Sequence, residues 1–169
     1  NKIFKTTLGL FLLVATLEGC AKILSLPRVE PSSAPTSVGL VSNSTDVIET
    51  SILTQINQYR QSRNLTPIRL DPFLSEQARL YSEQVAQGQT SFENTNFESQ
   101  FERIGEQIPF ESVKINLAYN EGYDDPATAT VENWLESPSH RQNIEGNFNL
   151  MGIGVAKNLD NKYYFTQIL

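Results

Sequence analysis

The sequence predicts an α+β layered domain, and three observations predict it. Two helix openings of the same kind, Asp71-Pro72 and Asp125-Pro126, each precede an amphipathic run. Residues Val113 to Asn120 alternate apolar and polar with a period of two, which is the pattern of a strand. At the end of the chain, two apolar runs flank Leu159-Asp160-Asn161 in the manner of an antiparallel hairpin. Helices interleaved with neighbouring strands bury their apolar faces by stacking in layers.

The first residues stand apart from that pattern. Lys2 and Lys5 precede an apolar run from Leu8 to Leu17, the charge-then-hydrophobe order of an export signal. The run is ended by Glu18 and Gly19, short of the roughly 20 apolar residues that a membrane-crossing helix needs. Leu17-Glu18-Gly19-Cys20 resembles the lipobox of bacterial lipoproteins, in which the cysteine is lipidated and becomes the mature N-terminus. Glu18 departs from the small residue usual in that motif, and a plain secretory signal cut nearby is the alternative. Residues 1–20 are therefore expected to be a lipoprotein signal segment. Residues 21–45 carry Pro27, Pro31, Pro35 and several serines with few large apolar groups, the composition of an extended tether. The folded domain is expected over residues 46–169.

Within the domain, Asp46 followed by Glu49 reads as a capping box, and Ile48, Ile52, Ile56 and Tyr59 then fall at helical spacing. Pro67 prevents continuation of a helix ending near Asn64. Leu74, Ala78, Tyr81 and Val85 make the buried stripe of a second helix, with Gly88 as its stop. Between Gln89 and Ser112 the chain is acidic around Phe92, Phe97 and Phe101. If it is helical there, Glu98, Glu102 and Glu106 share one face, which reads first as a solvated face and second as a site for a hard cation. The strand Val113–Asn120 and a loop at Gly122–Asp124 follow. A helix from Pro126 then buries Ala127, Val131, Trp134 and Leu135 until Ser137-Pro138 ends it. A short turn is expected to present His140 before the strands Leu150–Lys157 and Lys162–Leu169.

Composition narrows the function. The formal net charge of −6 makes the chain a poor ligand for nucleic acid or an anionic membrane surface, and removal of the first 19 residues makes it more acidic still. With one cysteine there is no intramolecular disulfide, so stability rests on the core. His140 is the only histidine and Trp134 the only tryptophan.

Trp134 to Asn143, Gly152-Ile153-Gly154-Val155 and Tyr163 to Ile168, together with Ile56-Asn57-Gln58-Tyr59-Arg60 and Leu70 to Leu74, resemble the bacterial branch of the CAP superfamily. These are the cysteine-rich secretory, antigen 5 and pathogenesis-related proteins. The resemblance covers roughly residues 48 to 169. It implies a three-layer α-β-α sandwich with a central, mostly antiparallel sheet and a cleft over it. In that family the cleft often holds two histidines and one or two glutamates that can bind a divalent metal such as zinc. His140 matches one of those histidines. Asn94 stands where the other would be, Ile115 stands at the glutamate of a Glu-Asn motif, and Asn116 matches its asparagine. The second acid of the family falls near Ser137, beside Glu136.

One imidazole with an amide and an unplaced carboxylate is a poor zinc set, since tight sites use three or four ligands. General acid–base chemistry also needs a partner that orients the histidine, and isoleucine at position 115 removes it. No metal site and no cofactor are expected. The expected cleft residues are His140, Asn94, Asn116 and Asn143, with His140 either fixing its turn through a buried carbonyl or contacting a ligand. Trp134 reads as core and Arg141 as a surface or salt-bridging residue. The sequence thus points to an exported, envelope-anchored, noncatalytic binding module, held through Cys20 and facing an unidentified protein, lipid or cell-wall ligand. It would be periplasmic or at the cell surface, and Ala21 after the cysteine favours the outer membrane by resemblance to Gram-negative lipoproteins. Two alternatives remain: a hydrolase of extracellular peptide or wall material using His140 with Glu136 or an acid from Glu93 to Glu106, and a lipid or sterol carrier.

Overall fold

In a computed structural model, residues 44–92 and 97–169 are described. The signal segment, Cys20, the tether up to residue 43 and Asn94 lie outside them. The elements run α1 (Ser44–Ser62), β1 (Arg69–Leu70), α2 (Pro72–Ala86), α3 (Glu98–Gln107), β2 (Ile115–Asn120), α4 (Pro126–Glu136), α5 (Pro138–Ile144), β3 (Leu150–Lys157) and β4 (Tyr163–Ile168). The strand order is β1-β3-β4-β2. β3 pairs antiparallel with β4, β4 antiparallel with β2, and the two residues of β1 run parallel to β3. The fold is the expected α+β sandwich with a mostly antiparallel sheet.

Both Asp-Pro openings work as written. Asp71 accepts from the Leu74 amide at 2.9 Å and Asp125 from the Thr128 amide at 3.0 Å, with proline at the first helical turn in each case. α1 ends where Asn64 adopts a left-handed φ of 59° and the Leu65 amide returns to the Arg60 carbonyl. The opening of α1 differs from the expectation. The helix begins at Ser44, and Glu49 forms no capping box. It is 4% exposed, receives the Arg79 guanidinium through both carboxylate oxygens, and accepts from the Val155 amide at 3.1 Å. A buried carboxylate that satisfies both a cation and a strand amide ties α1 to α2 and β3, a longer-range gain than a local cap.

One layer packs Ile52 and Ile56 of α1, Val131 and Trp134 of α4 and Ile144 of α5 onto Met151, Ile153, Val155 and Phe165 of the sheet. The opposite layer packs Leu74 and Ala78 of α2 and Ile104 of α3 against Ile168. On that side α2 lies almost on the backbone of β3. A Cβ built on Gly152 would stand 2.2 Å from the Leu74 carbonyl carbon, and one on Gly154 would stand 2.1 Å from the Ala78 carbonyl carbon. The approach is locked by the Ser82 hydroxyl, 3.0 Å from the Gly154 carbonyl oxygen and 2.8 Å from the Thr166 hydroxyl.

The turn expected at His140 is instead a helix, α5. Pro138 ends α4 by lacking an amide hydrogen, and its fixed φ suits it equally to the first position of a new helix. Arg60 holds the far end of α5. Its guanidinium is buried and donates to the carbonyls of Thr66 at 2.9 Å, Ile144 at 2.5 Å and Gly146 at 2.9 Å. The hairpin forms as expected, with Asn158 Oδ1 accepting from the Asp160 and Lys162 amides and Asn161 at a φ of 64°.

Candidate functional site

The site is built at the edge of the sheet formed by β2, where α5 crosses its start. Lys114 and Leu169 exchange both backbone bonds, at 2.9 and 2.8 Å. In an antiparallel ladder the backbone groups of Asn116, Ala118 and Asn120 therefore face β4, and those of Ile115, Leu117 and Tyr119 face outward. The outward Leu117 carbonyl accepts the Trp134 indole N–H at 3.1 Å. Trp134 is thus a core residue that also closes part of the sheet edge.

Three of the four expected cleft residues come together around Asn116, which is fully buried on the α4–α5 side. Its Nδ2 donates to the His140 carbonyl at 3.1 Å and to Gln167 Oε1 at 2.8 Å, while its Oδ1 accepts from Asn143 Nδ2 at 2.7 Å. Gln167 is itself fully buried and donates to Met151 Sδ at 2.9 Å. The amide pair ties β2, β4 and α5 into one network, and only its rim at His140 and Asn143 meets solvent. Asn94 lies outside the described residues. Gln167 was not singled out from the sequence, because a glutamine in an apolar strand gives no sign of which face it takes.

It is the His140 carbonyl that the network fixes. The imidazole Nδ1 is buried without a hydrogen-bond partner among the described residues, and burial pushes its pKa below the ordinary 6.5, so the ring is neutral at pH 7. No carboxylate among the described residues contributes to that shift. Protonation is therefore easier in the unfolded chain than in the folded one. The His140 contribution to stability is present above about pH 6.5 and is lost as pH falls through the lower folded-state value. Urea midpoints of wild type and His140→Gln should differ in pH dependence between pH 7.5 and pH 5, the variant losing this component; parallel curves would contradict a buried neutral imidazole.

Of the acids expected to help His140, Glu93 lies outside the described residues and the others lie elsewhere. Glu136 is exposed on the outer side of α4, in a pocket with Tyr123 and Glu132. Glu98, Glu102 and Glu106 fall on the exposed surface of α3, which buries only Ile104. Ser137 and Ser139 face each other at 3.2 Å. Arg141, expected at the surface or in a salt bridge, donates to the Leu135 carbonyl at 2.9 Å and fixes the end of α4.

Ile115 points to the other side of the sheet, where it packs between the Leu74–Ile104 cluster and the Tyr81–Phe97 cluster. Beyond it the same face is aromatic. Phe92 meets Tyr119 edge-on at 5.0 Å, Tyr119 lies 6.4 Å from Tyr164, and the Lys162 ammonium sits 3.7 Å from the Tyr119 ring centroid. Among the described residues no group of three His, Cys, Asp or Glu side chains is placed to hold a metal ion. Ile115, which the resemblance sets at the family's glutamate, offers no donor, and the described residues bring no zinc set around His140.

The profile of the cysteine-rich secretory protein family (CAP) matches residues 53–169. Among solved structures, an outer surface protein of Borrelia burgdorferi is similar at 21% identity and a TM-score of 0.62, over 72% of this chain and 90% of that one. An extracellular protein containing an SCP domain from Bacillus anthracis is also 21% identical at a TM-score of 0.62, over 80% of this chain and 44% of that one. A cysteine-rich secretory protein of Staphylococcus aureus is 19% identical at a TM-score of 0.58, over 75% of this chain and 38% of that one. The chain thus spans less than half of the latter two proteins. No curated protein sequence matches it.

Proposed function

Because the chain belongs to the cysteine-rich secretory protein (CAP) family, we propose that it uses the family scaffold as a noncatalytic binding module, exported and held at the cell envelope through Cys20. The observation that carries this reading is the fate of the Glu-Asn position. Ile115 is packed among apolar side chains and Asn116 is committed to the His140 carbonyl, which leaves the imidazole without an acid to orient it among the described residues. What remains on the sheet face is a set of aromatic rings, which bind by contact area and not by proton transfer. Export and the lipid anchor rest on the signal-like segment and on Cys20. The surface and extracellular proteins with the same fold agree with that address.

The reading is tested by assaying peptide and peptidoglycan hydrolysis by wild type and His140→Ala side by side. Both should run at the background rate, and hydrolysis that disappears in a folded His140→Ala variant would overturn the proposal. Fractionation of cells carrying Cys20→Ser tests the anchor, the expected result being release from the membrane fraction.

One observation favours a carrier role as a second reading. A pocket of about 270 Å³ opens between α2, α3 and the end of β4, lined by Leu74, Ile104, Phe110, Val113, Leu150 and Ile168 among others. It is slightly below the roughly 300–1,000 Å³ of small-molecule sites, so it would take a short apolar group and not a whole lipid. Organic extraction and mass spectrometry of the purified protein should then find an apolar ligand, and an empty extract counts against carriage.

A further inference from the structure

The pocket between α2, α3 and the end of β4 is bounded on one side by a strap that the fold holds at its two ends. At one end the Ile108 amide donates to the Ile104 carbonyl at 2.7 Å and closes α3. Pro109 follows, which stops the helix and keeps Ile108 extended, at a φ of −128° and a ψ of 108°. At the other end Lys114 exchanges both backbone bonds with Leu169. Between these clamps, residues 109–113 make no hydrogen bond among the described residues. Pro109, Phe110, Glu111 and Ser112 are exposed, and Val113 alone of the strap packs on the Leu74–Ile104–Ile168 cluster. Backbone bonded only to water, with little buried apolar contact, belongs to the low-stability end of a fold.

Phe110 stands at the mouth. It lines the pocket, is 44% exposed, and rests on α3 at Gly105, where an added Cβ would meet its ring at 3.5 Å. A phenyl ring left half in water beside an apolar cavity gains by moving over it, and the strap that carries it has no hydrogen bond to break. The lining also narrows what enters. Glu111 is its one charged side chain, and Ser112, Asn147 and Asn149 are exposed neutral groups at its edge. An alkyl chain with an uncharged polar head suits this lining, whereas a carboxylate head meets Glu111 with no cation to offset it. We propose, on the carrier reading of this pocket, that residues 109–113 are a lid hinged at Ile108 and Lys114 and closed by Phe110, whose opening admits the end of an alkyl chain bearing an uncharged head.

The test is NMR of the isotope-labelled full chain, free and titrated with n-octanol or with octanoate at pH 7. In the free chain, relaxation dispersion should show exchange on the µs–ms scale of lid motions at residues 110–113 and at the Ile104 and Val113 methyls, and none at Asn116 or Ala118. Octanol should give saturable shifts at the same methyls with a Kd of about 1 mM and should quench the exchange, while octanoate binds at least about tenfold more weakly. Phe110→Ala separates a lid from a wall. Association and dissociation of octanol should both accelerate about tenfold while Kd stays within about twofold. Phe110 is exposed, so the variant leaves the core intact. Failure of octanol to bind would overturn the carrier reading together with the lid. Octanol binding to a chain with no exchange at 110–113, or with rates unchanged in Phe110→Ala, would overturn the lid alone. Octanoate binding as tight as that of octanol would overturn the uncharged head.

Discussion

Gly154→Ala is expected to lose about 3 kcal/mol or more of folding stability, the upper end of what added core atoms usually cost. The new Cβ would stand 2.1 Å from the Ala78 carbonyl carbon and the Arg79 amide nitrogen. Both are backbone atoms in the middle of α2, so no rotamer change relieves the clash and the helix itself must move off the sheet. Gly152→Ala meets the Leu74 backbone at 2.2 Å and should behave alike. Because a single displacement of α2 relieves both clashes, the double variant should cost less than the two singles added. Gly105→Ala is the internal control. Its Cβ would meet only the Phe110 ring at 3.5 Å, within a helix, so it should gain about 0.5–1 kcal/mol. Urea unfolding of the four variants checks all of this, and an additive double variant would contradict the rigid docking of α2.

Trp134→Ala should cost about 3–5 kcal/mol, the range for emptying a buried large aromatic site. The indole is fully buried among α1, α4 and the sheet, and it supplies the only donor among the described residues to the outward Leu117 carbonyl. Trp134→Phe separates the two roles. It keeps most of the apolar contact and removes the N–H, so it should cost about 1 kcal/mol. Equal losses in the two variants would place the energy in the hydrogen bond and not in packing.

The local rules were legible because each is carried by neighbouring residues: Asp-Pro for two helix starts, period-two alternation for β2, and Leu159 to Asn161 for the hairpin. What failed was non-local. Glu49 reads as a cap from its spacing to Asp46, yet it serves a guanidinium and a strand amide distant in sequence. Ser-Pro reads as a stop and is both stop and start. Gly152 and Gly154 carried a signal, since glycine inside a strand marks close backbone approach, but nothing in their spacing names α2 as the partner. At the site, Asn116 and Asn143 were legible as types, while the inward turn of Asn116 toward the His140 carbonyl follows from strand register. Arg60 gave no signal, because its three partners are backbone carbonyls.

On the proposed reading, this CAP scaffold keeps its histidine but not the chemistry usually built around it. Calorimetric titration of the full chain with zinc, run beside His140→Ala, tests it most directly. No heat that depends on His140 is expected. Tight, stoichiometric binding that disappears in the folded variant would mean that other ligands complete a metal site around this imidazole, and the noncatalytic reading would be wrong.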